Sequence, residues 1–441
     1  MGKAKDDEPS TPPLPEEAPE AADAGDEAPE EAKIAFDELD TNHDGVIDLQ
    51  EFAEGMPPPK PKTAGELRKE AEEKETKYWI SWASMEKRVK QKRWLALSTS
   101  EDMTVKLWDF DDKKNTFRAT LNGPLDGEHR VHEASIRVGA IDFQSHSAIT
   151  AAMDGTLALW DIEAMEVKNS FLTGKYGPML CLDADFARNR LITGTAEGMM
   201  CVWDAQRLSL LKAIQGHDGA KITVVKADFD QGRGLSGAQD GRLRVWDIET
   251  GDCVGTFDSH GDFVSFGLAD FDQGRVLSAA DDGSMFLWNL DTRKQLAVYE
   301  GHDDRINVIR ADTERGLAIT ASDDETARVW EVSSGRCRGT LAGHAQAVRD
   351  VQADWAAEVQ VAITCSDDRT IRMWELATFT CTGVLEGHQN RVNIIRARFD
   401  REPRMMVSCS TDYTMRLWNL DTMDCEEVMC AHSGKIVSLA T

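Results

Sequence analysis

The amino-acid sequence predicts an all-β protein in which eight four-stranded sheets form a ring, preceded by a small α-helical module and a disordered acidic tail. Three observations in the 441 residues support this prediction. Eight tryptophans recur at nearly constant intervals. Between them, short apolar and β-branched runs alternate with turn residues, as expected for short strands. Acidic residues and prolines are concentrated near the N-terminus, before the first repeat.

The composition predicts a cytoplasmic protein. The chain has 78 acidic and 50 basic residues, which gives a formal net charge of −28. Such an excess repels phosphate groups, so we expect neither a nucleic-acid partner nor a membrane partner. The sequence contains no apolar run near the ~20 residues that span a bilayer and no apolar signal-peptide core at its N-terminus. The nine cysteines form no Cys-x-x-Cys pair, which favours reduced thiols.

The acidic tail is predicted over residues 1–29. Residues 1–59 contain 18 acidic residues and 3 lysines, and ten of the 13 prolines lie at or before Pro61. A segment of this composition cannot bury enough apolar surface to offset its chain entropy. The remaining predicted regions are a helical module at 30–56, a proline-rich spacer with a charged, basic amphipathic helix at 57–93, and the ring at 94–441.

Residues 40–51 predict a calcium-binding loop. Ca²⁺ prefers six to eight hard oxygen ligands, and oxygen-bearing side chains recur here at alternate positions. Gly45 permits the sharp turn that such a loop needs, and apolar residues flank the loop where two helices would pack. The predicted ligands are Asp40, Asn42, Asp44, Val46 through its backbone carbonyl, Asp48 and Glu51.

This segment resembles the EF-hand family over about 25 residues. The resemblance implies a helix–loop–helix module with Ca²⁺ as its cofactor. The alternative is a polar turn that binds no metal. EF-hands usually occur in pairs, whereas this chain shows one loop and a short exiting helix that stops near Gly55. A single hand either binds calcium more weakly or borrows a partner.

The predicted helix at 77–93 is basic and amphipathic. Tyr78, Trp82, Met85 and Val89 fall on one helical face, and five basic residues lie close by. Such a segment resembles the targets of calcium sensors. Our hypothesis is that it docks intramolecularly on the EF-hand or on the acidic tail. The alternative is a strand or helix that packs on the ring.

The repeat is defined by its tryptophans and by the residues that precede them. Successive tryptophans are separated by 52, 43, 43, 42, 42, 44 and 44 residues. The tryptophans are Trp108, Trp160, Trp203, Trp246, Trp288, Trp330, Trp374 and Trp418. A Ser or Thr stands ten residues before each of them: Ser98, Thr150, Thr193, Ser236, Ser278, Thr320, Thr364 and Ser408. An acid stands six residues before each: Asp102, Asp154, Glu197, Asp240, Asp282, Asp324, Asp368 and Asp412. A histidine precedes six of them by 28 to 30 residues: His132, His217, His260, His302, His344 and His388.

With these residues the chain resembles the WD-repeat family over about 350 residues. The resemblance implies an eight-bladed β-propeller in which His, Ser/Thr, Asp and Trp form a buried hydrogen-bond network in each blade. Such a set also invites a catalytic interpretation. We reject it, because the set recurs in most repeats and no single exposed copy stands out.

The first blade lacks a histidine of its own, while His432 lies in a C-terminal segment with no tryptophan after it. We therefore expect residues 435–441 to form the innermost strand of the first blade, so that the ring has no free edge. The alternatives are that residues 78–84 supply this strand, or that the chain is part of a longer array. The repeat of Trp203 also departs from the pattern, with Lys175 where histidine is expected.

Rings of this family usually bind proteins through their flat faces, so we expect protein partners. Basic residues follow several histidines: Lys221, Arg305, Arg391 and Lys435. Acids precede several network aspartates: Glu101, Asp281, Asp323 and Asp367. A mixed-charge face suggests recognition of peptides, including acidic or phosphorylated ones. The alternative for each residue is an ordinary solvated loop charge.

The sequence thus predicts a calcium-binding, non-enzymatic scaffold that recruits protein partners and whose N-terminal segment is exposed when calcium binds. Two other functions stay open. One is a constitutive subunit of a cytoskeletal or ciliary assembly, in which calcium is incidental. The other is a subunit that recruits substrates to an enzyme complex.

Overall fold

A computed structural model describes residues 94–111, 116–121, 131–172, 174–258, 260–356, 359–430 and 432–441. The chain divides into two compact units, Met1–Lys92 and Arg93–Thr441, and the described residues belong to the second. The predicted acidic tail, calcium loop, spacer and amphipathic helix all lie outside the described residues. The described residues form strands and connecting turns, and none of them belongs to a helix long and apolar enough to cross a membrane.

In the part of the chain that the structure describes, thirty-two strands form eight four-stranded antiparallel sheets, which we call blades 1 to 8. Blade 1 begins with β1 (Leu95–Ser100), β2 (Val105–Asp109) and β3 (Phe117–Thr120). Blade 2 has β4 (Ile136–Asp142), β5 (Ser147–Ala152), β6 (Thr156–Asp161) and β7 (Glu166–Leu172). Blade 3 has β8 (Met179–Asp185), β9 (Arg190–Thr195), β10 (Met199–Asp204) and β11 (Ser209–Gln215). Blade 4 has β12 (Ile222–Asp228), β13 (Arg233–Ala238), β14 (Leu243–Asp247) and β15 (Cys253–Phe257).

The second half of the ring repeats this order. Blade 5 has β16 (Val264–Asp270), β17 (Arg275–Ala280), β18 (Met285–Asn289) and β19 (Gln295–Tyr299). Blade 6 has β20 (Ile306–Asp312), β21 (Leu317–Ser322), β22 (Thr326–Glu331) and β23 (Cys337–Ala342). Blade 7 has β24 (Val348–Asp354), β25 (Val361–Ser366), β26 (Ile371–Glu375) and β27 (Thr380–Leu385). Blade 8 has β28 (Val392–Arg398), β29 (Met405–Ser410), β30 (Met415–Asn419) and β31 (Asp424–Met429). The last strand is β32 (Ile436–Ala440).

The ring is closed by the C-terminal strand. In blades 2 to 8 the four strands of a sheet follow one another in the chain, and the first strand of each blade contacts the first strand of the next. In blade 1 that innermost place is taken by β32, which pairs with β1 in antiparallel register and also contacts β28 and β4. The prediction of eight blades is therefore confirmed.

The strands differ in burial according to their place in a blade. The second strand of each blade is covered on both faces by the neighbouring blades. Its sequence is therefore a continuous run of apolar or small residues, as in β21 and β25. Several outermost strands, such as β11 and β31, alternate between exposed residues and residues that are at least partly buried, because only one face is covered.

Each repeat tryptophan fills the interface with the preceding blade. Trp330 of blade 6, for example, packs on Leu277, Met285 and Leu287 of blade 5. Trp108 packs in the same way on blade 8, across the point where the ring closes. All eight are at most 4% exposed. The regular spacing of the tryptophans along the chain therefore corresponds to one tryptophan at each interface between blades.

Candidate interaction face

The polar network is simplest to describe in blade 6. The indole Nε1–H of Trp330 donates to Thr320 Oγ1 at 2.8 Å. The Thr320 hydroxyl lies 2.7 Å from His302 Nε2, and His302 Nδ1 lies 2.6 Å from Asp324 Oδ2. Every bond is satisfied when Thr320 donates to Nε2 and Nδ1–H donates to the carboxylate. The chain of bonds fixes the histidine loop to the turn between β21 and β22.

The network recurs in seven blades, with two variants. In blades 4, 6, 7 and 8 the histidine contacts the aspartate directly, and blade 1 does the same with His432 supplied by the C-terminal segment. In blade 2, His132 Nδ1 instead contacts the Thr156 hydroxyl. In blade 5, His260 Nδ1 contacts Ser284 Oγ at 2.7 Å.

Blade 3 departs from the pattern, as its sequence indicates. Trp203 Nε1 donates to Thr193 Oγ1 at 3.0 Å, but no histidine lies beside that hydroxyl among the described residues. Lys175 and Glu197, at the positions of the usual histidine and aspartate, are both exposed. The loop that precedes β8, which carries Lys175 in place of a histidine, is therefore held without the chain of hydrogen bonds that fixes the histidine loops of the other blades.

The network is built for structure and not for nucleophilic catalysis. The hydroxyl-bearing residue of every blade, from Ser98 to Ser408, is fully buried and accepts the indole proton of its own tryptophan. A substrate cannot reach such a hydroxyl, and the same arrangement recurs around the ring. These sets are therefore not catalytic triads.

Burial and hydrogen bonding set the charges of the network. Burial by itself raises the pKa of Asp324, but hydrogen bonds from His302 and Thr326 outweigh it and hold that pKa well below its usual range. The same balance lowers the pKa of Asp368 and Asp412. Burial lowers the pKa of His132 and of His260 to about 4, because it outweighs the charges of Asp154 and Asp282, which act in the opposite direction. These two histidines are therefore neutral at pH 7.

The neutral histidines predict acid sensitivity. In the unfolded chain His132 and His260 bind protons near pH 6.5, whereas in the folded chain they resist protonation down to about pH 4. The unfolded state therefore binds more protons in this window, and each histidine costs up to about 3 kcal/mol of stability as the pH falls through it. We expect the urea midpoint to fall steadily between pH 7 and pH 5. A urea midpoint that is constant between pH 7 and pH 5 would contradict the inference that His132 and His260 resist protonation in the folded chain.

The predicted contact residues lie together at one end of the ring. This end, which we call the histidine face, carries the histidine loops and the turns that contain the network aspartates. The backbone N–H of Glu101 donates to the Lys435 carbonyl at 2.9 Å, and that of Asp323 donates to the Arg305 carbonyl at 2.8 Å. Equivalent hydrogen bonds occur in other blades. The backbone N–H of Gln239 donates to the Lys221 carbonyl, and that of Thr411 donates to the Arg391 carbonyl.

Ion pairs connect the blades across part of this face. Arg305 Nε lies 3.2 Å from Asp281 Oδ1, which joins blades 6 and 5. Arg349 of β24 lies 2.7 Å from Asp323 Oδ1 and 2.9 Å, through Nε, from Asp367 Oδ1. Arg391 reaches Asp367 at 3.7 Å. Charged residues therefore pair across three consecutive blade boundaries, from blade 5 to blade 8.

Arg349 was missed by sequence reasoning, although it is the centre of these pairs. The other predicted residues behave differently: Lys221, Lys435 and Glu101 form no ion pair with any residue that the structure describes.

Burial raises the pKa of Asp281, and the charges of Asp262 and Asp323 act in the same direction, against Arg305. The acidic side of the face lies at blades 5 and 6.

The described part of the ring has no cluster of metal-ligating side chains. Within the described ranges, no group of three or more His, Cys, Asp or Glu side chains is arranged to hold a metal ion. The six predicted calcium ligands, from Asp40 to Glu51, lie outside those ranges.

Comparisons with known proteins agree with the geometry. Five segments match the family model of the WD domain, G-beta repeat: 208–247, 251–289, 293–331, 335–375 and 379–419. A comparison with curated proteins found no match. Among solved structures, the crystal structure of the computationally designed protein Ika8 matches with a TM-score of 0.60 and 24% identity. The match covers 70% of this chain and 90% of the designed one, and it shows a shared fold. The chain thus carries WD40 repeats within an eight-bladed β-propeller, a fold that typically serves as a non-catalytic scaffold for protein interactions.

Proposed function

We propose that this protein is a calcium-binding, non-enzymatic scaffold that recruits protein partners through its histidine face. The observation that carries the proposal is the series of ion pairs from Asp281 to Arg391, which presents alternating charges on loops held by buried networks. Rigidly held polar groups bind a partner without losing much conformational entropy of their own.

The blade 8 side of the face suits an acidic or phosphorylated peptide. The Arg391 side chain is 60% exposed and lies 3.7 Å from Asp367, a distance at which a partner's anion competes for the guanidinium. Tyr413 is 48% exposed in the turn of the same blade and supplies apolar contact area.

The calcium part of the proposal rests on the sequence of residues 40–51. Calcium binding to an EF-hand changes the angle between its helices and exposes an apolar groove. The basic segment at 77–93 has the composition of a helix that fits such a groove. Calcium would then determine whether this segment is held or released. Trp79 and Trp82 lie in this segment, and we expect their fluorescence to change when calcium is added. An unchanged fluorescence signal would contradict the calcium-dependent release of the segment.

A capture experiment tests recruitment. Full-length protein and an Arg391→Glu variant are used to capture partners from cell extract, with calcium and with a chelator. We expect Arg391→Glu to reduce the recovery of specific partners about tenfold or more, because it replaces an attraction with a repulsion. Arg336→Glu is the matched control, since Arg336 is exposed in the turn that precedes β23, away from the histidine face.

The outcomes separate the candidate functions. Equal recovery by wild type and Arg391→Glu would contradict recruitment through the histidine face. Recovery that needs calcium supports a regulated scaffold. Partners that are recovered equally with chelator would indicate the constitutive subunit, in which calcium is incidental.

A further inference from the structure

A cleft opens between blades 6 and 7 at the end of the ring opposite to the histidine face. Its cavity is about 290 Å³. Blade 6 contributes Leu317, Val329 and Arg338, and blade 7 contributes Trp355, Leu376 and Phe379. Trp355 directly follows the last residue of β24, whereas the histidine loop precedes the first residue of that strand. The cleft is therefore separate from the face described above.

The lining of this cleft differs from that of the corresponding cleft between blades 5 and 6. Six residues connect β24 to β25 in blade 7, as six connect β28 to β29 in blade 8, whereas four connect β20 to β21 and four connect β16 to β17. The corresponding cleft between blades 5 and 6 has about 60 Å³, and Thr313 stands there in the place of Trp355. The aromatic side chains of Trp355 and Phe379 thus line the larger of these two recesses.

Phe379 forms part of the wall in an unusual conformation. Its φ is +57°, a left-handed conformation that a bulky residue rarely adopts. The ring lies directly against Gly339 of β23, where a Cβ atom would come within 2.5 Å of three of its carbons. Gly339 therefore allows the aromatic ring to lie on the backbone of the neighbouring blade.

Arg338 lies at the edge of this recess and has no acidic partner among the residues that the structure describes. Its side chain is exposed and forms no ion pair or hydrogen bond with any residue in the described ranges. The equivalent residue of blade 2, Lys168, lies 3.0 Å from Asp161. In blade 6 the acid at that position is Glu331, which instead accepts a hydrogen bond from Ser334 at 2.8 Å. Within the described part of the chain, the guanidinium is thus left without an acidic partner.

We propose that this cleft binds a peptide segment in which a large apolar side chain stands beside an acidic residue. The apolar side chain enters the recess between Trp355 and Phe379, and the carboxylate pairs with Arg338. A cavity of about 290 Å³ has room for one anchoring side chain, and it lies at the small end of the range for ligand pockets. Binding through one anchor and one charge pair gives weak affinity, which suits a second contact for a partner held elsewhere.

The test uses full-length protein labelled with 5-fluorotryptophan and observed by fluorine NMR. The Trp355 resonance is assigned by its loss in Trp355→Phe. The probe is a blocked peptide with the sequence Gly-Ser-Phe-Asp-Ser-Gly, and the comparison peptides carry Ala-Asp or Phe-Asn at its centre. We expect the Phe-Asp peptide to shift the Trp355 resonance saturably. The Ala-Asp peptide should bind at least tenfold more weakly, since burying an aromatic side chain contributes more than one exposed charge pair.

Two arginine variants decide whether the charge is recognised. Arg338→Gln should weaken the Phe-Asp peptide about threefold to tenfold and leave the Phe-Asn peptide unchanged. Arg336→Gln, two residues away and also exposed, should bind like wild type. Equal thermal unfolding of the variants shows that each is folded. The proposal is overturned if the Trp355 resonance does not move, if the three peptides shift it equally, or if Arg338→Gln binds the Phe-Asp peptide as wild type does. None of these results depends on calcium or on the histidine face.

Discussion

Deletion of residues 431–441 is expected to abolish cooperative folding of the ring. It removes β32, and with it Ile436 and Leu439, which are almost fully buried against Trp108 and the core of blade 8. It also removes His432, whose Nε2 lies 2.7 Å from Ser98 Oγ. Burial of the two apolar side chains alone contributes about 3 to 6 kcal/mol, a large share of the ~5–15 kcal/mol by which domains are stable.

The deletion also leaves β1 as an unpaired inner edge, which is a template for aggregation. Calorimetry and size-exclusion chromatography check the prediction: we expect loss of the sharp unfolding transition and formation of large species. Removal of Thr441 alone is the control, because this exposed residue lies beyond β32. A deletion variant that stays monomeric with an unchanged melting temperature would show that the C-terminal strand does not close the ring.

Replacement of a repeat tryptophan is expected to have the second largest effect. Trp374 is 1% exposed and packs on Val329 and Leu341 of blade 6, and its Nε1–H donates to Thr364 at 2.8 Å. Trp374→Ala should lower the free energy of unfolding by about 3 to 5 kcal/mol, because it leaves a large cavity between two blades.

A second substitution separates packing from hydrogen bonding. Trp374→Phe keeps much of the apolar volume and removes the donor, so we expect a loss of about 1 to 2 kcal/mol. Trp355→Ala, at a half-buried tryptophan in the same blade, should cost less than Trp374→Ala. Denaturant unfolding measures all three. Equal losses for Trp374→Ala and Trp355→Ala would contradict the assignment of the repeat tryptophan to the interface between blades.

The sequence was informative wherever a residue type recurred with the period of the blade. Trp330, Thr320, Asp324 and His302 recur in this way, and their spacing was sufficient to predict eight blades with one shared network. The departure of blade 3 was also readable, because Lys175 stands at a position that is otherwise histidine.

Features that depend on one blade were not predictable in the same way. Arg349 holds Asp323 and Asp367 together, but the equivalent inner-strand residues of the neighbouring blades are Asn307 and Asn393, so no periodic signal marks the position. The charge of Arg349 was itself a weak signal of an ion pair, because this arginine is the second residue of a strand whose ends lie near turns rich in aspartate.

Side-chain geometry was a further limit. His302 contacts its aspartate directly, whereas His132 contacts the hydroxyl of Thr156. Both blades have a threonine two residues after the aspartate, so the sequence alone does not distinguish the two arrangements. The calcium loop, by contrast, is defined by the sequence pattern of residues 40–51 and stays a prediction.

Isothermal titration of calcium into the full-length protein tests the proposed function most directly. We predict one site with a dissociation constant of about 10⁻⁷ to 10⁻⁵ M, the range of sensor EF-hands. Glu51→Gln, which removes the ligand expected to bind through two oxygens, should weaken binding at least tenfold, while Glu54→Gln, three residues beyond the loop, should bind like wild type. Absence of binding by the wild type, or equal binding by Glu51→Gln, would contradict the calcium-dependent scaffold.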